Sequence, residues 1–170
     1  MIREFNGKSP QISSSAFVSE TAYIAGDVEI GENTNIWPGA VIRGDIAKIT
    51  IGKNTSIEDN CVVHSATDLI IGDNTLVGHG AVLHCRKIGN NVLIGNNATV
   101  LDNAEIGDYC IIAAGSGVAP DTKFPAESLA FGVPAQIKIR LPLWVFPTGR
   151  TVTATGSPRI LNREVTGSFR

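Results

Sequence analysis

The chain contains three histidines, His64, His79 and His84, and the last two fall within the short run VGHGAVLHC, residues 77–85. Imidazole is the commonest metal ligand among side chains, and three such rings around one open position make a catalytic zinc site. The spacing of His79 and His84 argues against a local motif. On a helix, ligands sharing a face stand three or four residues apart, whereas five steps of about 100° leave two rings about 140° apart. On a strand, an odd spacing sends them to opposite faces. Any chemistry common to both rings therefore requires a backbone that turns between them. Charged residues accompany the histidines: Arg43 and Asp45 in the run RGD, and Glu58 and Asp59 in IEDNCVVH, which ends at His64.

The elements that must position these groups are written in sixes. Aliphatic residues recur at Ile12, Val18, Ile24, Ile30, Ile36 and Ile42, then at Ile51, Ile57 and Val63. They resume at Ile71, Val77 and Leu83, and again at Ile88, Ile94, Val100, Ile106, Ile112 and Val118. Two positions before each anchor stands a second, usually small residue, such as Ala22, Ala40, Cys61, Ala81, Ala98 or Cys110, and both are expected to point inward. Between them lie IGEN, IGKN, IGDN, IGNN and IGDY, whose Gly and Asn supply the left-handed backbone that a sharp corner demands. A period of six would wind an apolar stripe around a helix. It suits three short strands and three corners per eighteen-residue turn of a triangular prism, each strand bonded to the one a turn away. The anchors predict an all-β fold of about six coils. Three interruptions break the count: three residues are added after Ile42, two after Val63, and one is lost after Leu83. Because a solenoid needs no interruptions for stability, these mark where function is expected.

On this prism His64 and His84 each follow an anchor by one residue. Their separation of twenty is one coil plus the two-residue insertion, which predicts that they stand one above the other on neighbouring rungs. His79 follows Val77 by two, on the preceding side, and is expected to face outward near another edge, beyond reach of an ion held by the other two. If three prisms stand around a threefold axis, the side carrying His79 can meet the edge carrying His64 and His84 of a neighbour. Three histidines would then leave a fourth position for water.

The runs IWPGAVIRGD, IEDNCVVH, IIGDNTLVGHGAVLH and LAFGVPA, spread over about residues 5–135, resemble the γ-class carbonic anhydrases and their carbonic-anhydrase-like relatives among hexapeptide-repeat proteins. The resemblance implies a left-handed parallel β-helix. It implies zinc, or iron in some members, bound by His64 and His84 of one subunit and His79 of the next in a homotrimer. The activity implied is reversible hydration of CO2 to bicarbonate by a metal-bound hydroxide at the subunit interfaces. Arg43, Asp45 and Asp59 match positions that form an ion-pair cluster between subunits near the metal. Glu58 stands where the family usually has a glutamine bonded to the metal-bound water, and a carboxylate there can accept a proton or attract the metal itself. Arg86 falls at an inward position where the family has no such charge, and the shortened turn is expected to rotate it outward and let Cys85 fill the space. The family usually closes with an amphipathic helix. Here the segment 135–170, rich in Pro, Gly and β-branched residues, predicts instead an extended arm or hairpin packing on the prism of residues 1–134.

Composition narrows the alternatives. With 14 Lys+Arg against 16 Asp+Glu there is no basic stripe for nucleic acid. The opening MIREFNGKSP lacks the apolar stretch of a signal peptide and no window reaches a membrane span, so the expected setting is the cytoplasm. Three cysteines without CxxC spacing indicate neither a disulfide framework nor a cysteine zinc knuckle. Two competing functions stay open. One is a hexapeptide acyltransferase using acyl-CoA, with a histidine as general base. The other is a metal-binding protein with little turnover.

Overall fold

The computed structural model describes residues 1–141. Most strands are two or three residues long and pair in parallel with the rungs on either side. Together they form a parallel β-helix of about seven turns, in the left-handed form the resemblance implies. The anchors account for six coils. The stack is longer because Ile2–Arg3 pairs onto Tyr23–Ile30 at one end and Ser128–Gly132 adds a rung at the other.

Every anchor from Ile24 to Val118 is buried. Between them the small residues Ala22, Ala40, Ala81, Ala98 and Ala104 are also fully enclosed, so large and small side chains alternate to fill the triangular section. Thr34, Thr55 and Thr75 occupy the same inward column and bury their hydroxyls completely. Each hydroxyl donates to a glycine carbonyl at the corner, Gly52, Gly72 and Gly89 respectively, at 2.7, 2.8 and 3.0 Å. The same oxygens of Thr34 and Thr55 accept the backbone N–H of Thr55 and Thr75. This ladder satisfies polar groups that would otherwise be costly inside the prism.

Asparagine turns the corners. Asn54, Asn74, Asn91, Asn97 and Asn103 all take positive φ between 53° and 57°. At Gly80, with φ of +68°, a Cβ would lie 2.5 Å from Asn97 Oδ1, so only glycine fits beside His79.

Outward residues distinguish the three faces. The first presents the column Tyr23, Val41, Val62, Val82, Thr99 and Gly117, without a charge. The second presents Gln11, Glu29, Thr50, Ile70, Lys87, Glu105 and Lys123. The third carries Phe17, Asn35, Ser56, Leu76, Leu93, Ile111 and Leu129. All three departures from the period of six stack at the corner between the first and second faces. There the long strand Val41–Ile51 rounds the bend, and Arg43 pairs in register with His64. One turn on, Cys85 is buried and Arg86 is exposed, because the missing residue moves the inward position back by one.

At the far end, Ala135–Arg140 runs antiparallel to Ser128–Gly132. The remainder of the expected arm, including LPLWVF from Pro142 onward, lies outside the described residues. No helix among the described residues is long and apolar enough to cross a membrane.

Candidate metal centre

The corner between the first and second faces brings His64 and His84 together. Val62 and Val63 pair with Val82 and Leu83, which sets the histidines that follow on adjacent rungs with ring centroids 5.2 Å apart. His64 is the more enclosed, its side chain 14% exposed against 30% for His84. Arg43 Nη1 donates to Asp45 Oδ2 at 2.6 Å, and Asp45 Oδ1 reaches to 3.0 Å from His64 Nε2. Both atoms are buried, and the close charge contact between them is their only polar interaction at this corner. Burial first, and the positive charge of Arg43 second, lower the His64 pKa below its ordinary value despite the nearby Asp45. The neutral ring this favours is the form that binds a metal.

His79 lies elsewhere, on the edge where the third face meets the first. Its Nε2 is 3.1 Å from Glu58 Oε2 and its Nδ1 is 3.0 Å from Asp59 Oδ2, and its side chain is 55% exposed. Both carboxylates come from the preceding rung, because Ser56–Ile57 pairs with Leu76–Val77. Asp59 thus neighbours His79 within the chain, while Arg43 and Asp45 form a separate pair at the other edge. Among the described residues no three His, Cys, Asp or Glu groups are arranged to hold a metal within one chain.

The three histidines stand as two separate groups of nitrogen donors, a chemistry suited to a metal such as zinc. His64 and His84 offer two nitrogens at one edge of the first face, and His64 Nε2 is buried without a hydrogen bond, its nearest polar neighbour being Asp45 Oδ1 at 3.0 Å. His79 offers the third at the opposite edge. Cys85, though adjacent to His84, is not part of the set. It is buried in the core, and desolvation pushes its thiol up to about 12.

One residue of this corner escaped the sequence reading. Asp102 Oδ1 accepts the His84 Nδ1 proton at 3.1 Å. The shortened coil hid it, because Leu83 pairs with Val100 and the register mate of His84 is therefore Leu101, one residue before Asp102.

Comparison with known proteins agrees with the repeat. The sequence family described as bacterial transferase hexapeptide (six repeats) matches residues 9–44 and 87–120. A carbonic anhydrase of Geobacillus kaustophilus is 46% identical over 139 residues, which cover 81% of this chain and 76% of that protein. The mitochondrial γ carbonic anhydrase 2 of Arabidopsis thaliana is 38% identical over 142 residues, 79% of this chain, and the chain spans about half of its length, 51%. Among solved structures, a hexapeptide transferase family protein from Anaplasma phagocytophilum superposes with a TM-score of 0.80 at 38% identity, over 83% of this chain and 84% of its own. The chain belongs to the family of γ-class carbonic anhydrases and carbonic-anhydrase-like hexapeptide-repeat proteins.

Proposed function

We propose that the protein catalyses metal-dependent, reversible hydration of CO2 to bicarbonate at the subunit interfaces of a homotrimer. The observation that carries this reading is the arrangement of the two half-sites on opposite edges of one uncharged face. His64 and His84 stand on one edge, with the buried His64 Nε2 beside the carboxylate of Asp45, and His79 stands on the other. When three prisms turn their first faces toward a common axis, each His79 edge meets the His64–His84 corner of a neighbour, and the contact closes on itself. The column Tyr23, Val41, Val62 and Val82 supports such packing, since no charge is desolvated when it is covered.

A zinc or iron ion held by three histidines acidifies water and so supplies a nucleophile at neutral pH. The chain's own residues do the rest. Arg43 holds Asp45 against His64, which restrains the ring from its open side. Asp59 and Glu58 flank His79, at 3.0 Å from Nδ1 and 3.1 Å from Nε2, and hold the ring at the edge that would face the neighbour. Hydration of CO2 releases one proton with each bicarbonate, and Glu58 Oε2, beside His79, is placed to accept it and pass it to buffer. In this role the carboxylate is useful where an amide would only orient water.

An acyltransferase reading draws on the transferase family name of the Anaplasma relative. Against it, the largest addition to the repeat is three residues, too short to cover an acceptor substrate, and acyl transfer has no use for three histidines in this register. Protein purified without chelator should contain zinc or iron near one equivalent per chain and hydrate CO2 in stopped-flow assays. His79→Ala and His64→Ala should each lose both properties. Metal-free protein that binds acyl-CoA would overturn the proposal. Bound metal without turnover would leave a metal-binding protein in its place.

A further inference from the structure

We infer that Asp102 is a positioning residue: by accepting the Nδ1 proton of His84 it fixes that ring in the tautomer and orientation that leave Nε2 free for a metal. The inference rests on the metal reading of the histidine cluster and extends it to the rung beyond.

A neutral imidazole has one N–H and one lone pair, and the partner of one nitrogen decides which role the other takes. His84 Nδ1 lies 3.1 Å from Asp102 Oδ1, and because a carboxylate only accepts, the neutral ring carries its proton on Nδ1 and its lone pair on Nε2. The backbone holds both residues at this spacing. His84 N–H donates to the Val100 carbonyl at 2.8 Å, and the Asp102 carbonyl accepts from Asp121 N–H at 2.8 Å one turn further on. The carboxylate is therefore carried by a rung pinned from the next coil.

The three histidines differ in how they are held. His64 is enclosed, and packing restricts its ring. His79 and His84 are more exposed, and each has a carboxylate on Nδ1: Asp59 at 3.0 Å and Asp102 at 3.1 Å. Where burial does not restrain the ring, a carboxylate at Nδ1 does. The Asp102 side chain is itself 52% exposed, so a simple surface pair would contribute little to stability. Its consequence lies in the ligand, because partners of this kind change metal affinity by about 10- to 100-fold when removed.

The test compares wild type with Asp102→Ala and Asp102→Asn, with Glu105→Gln on the second face as the control. Cobalt(II) affinity is measured by chelator competition on the full-length protein. Asp102→Ala should bind about 10- to 100-fold more weakly. Asp102→Asn, which keeps an acceptor oxygen, should fall between it and wild type, and Glu105→Gln should match wild type. Melting temperature and oligomeric state should not change. In metal-free protein, the imidazole 15N resonances of His84, identified by their loss in His84→Ala, should report an unprotonated Nε2 in wild type and a mixture of tautomers in Asp102→Ala. Equal cobalt affinity or an unchanged tautomer in Asp102→Ala would overturn the inference, as would a loss of affinity matched by a loss of folding or assembly. If wild type takes up no cobalt while the tautomer still shifts, the metal reading fails and the orienting role of Asp102 stands.

Discussion

Glu58 departs from what a neutral water-orienting shell would contain, and that departure makes a prediction. Glu58 sets a carboxylate 3.1 Å from His79 Nε2. If it carries the product proton, Glu58→Gln should slow CO2 hydration by roughly 10²-fold in dilute buffer and recover when imidazole is added, with metal content unchanged. An unaltered rate in dilute buffer would remove Glu58 from the proton path. The cysteines predict the opposite of reactivity. Burial raises Cys61 to about 11 and Cys85 to about 12, and raises Cys110 as well. Thiolate is therefore scarce through pH 8 and grows only as pH rises toward those values, so iodoacetamide followed by mass spectrometry should find no labelling until the chain is unfolded. The histidine pair was legible because both residues follow an anchor by one. Asp102 was not, because a hydrogen bond between side chains one coil apart depends on rotamers that periodicity does not encode. The pairing of Asp59 with His79 was hidden for the same reason, since the family resemblance directs attention to partners across an interface.

At the scale of the element, a rung contributes one large anchor and one small companion, and the anchors are nearly interchangeable. Ile94 is fully buried and makes its rung contacts with Val77 and Ile112. Ile94→Ala should cost about 2 to 5 kcal/mol in denaturant unfolding, because rungs clamped on both sides cannot collapse into the cavity. A cost below 1 kcal/mol would contradict that packing. The anchors could be read directly, since a period of six admits one architecture. The inward threonines could not be explained at that stage. Thr34, Thr55 and Thr75 are placed like Ala or Cys, and only the register reveals that each hydroxyl meets a glycine carbonyl at the corner. The three irregular turns were countable, but their stacking at a single corner emerges only when the coils are laid over one another. Asp45, His64 and His84 all stand at that corner, so the lengthened and shortened turns shape the edge that carries the histidine pair while the other two edges keep the regular repeat.

For the whole molecule, the proposal divides each site between chains, and that division can be tested without seeing the metal. Val62 lies mid-column on the uncharged face and is 37% exposed in the single chain. Val62→Asp should yield folded monomers by analytical ultracentrifugation, with β signal retained and metal lost, because a carboxylate there would be desolvated unpaired. A trimer that tolerates this change would place the interface elsewhere. His79→Ala and His84→Ala chains, each inactive alone, should regain about a quarter of wild-type activity when refolded together at equal amounts, since mixed trimers contain one complete site in three. No recovery would mean that each chain uses its own histidines. The antiparallel strand Ala135–Arg140 has a consequence of a different kind. A column of parallel rungs can in principle add another copy at its end without limit, as fibres do. By folding back against Ser128–Gly132, the chain occupies the hydrogen-bonding edge of the third face, so the repeat is barred from polymerising through that edge.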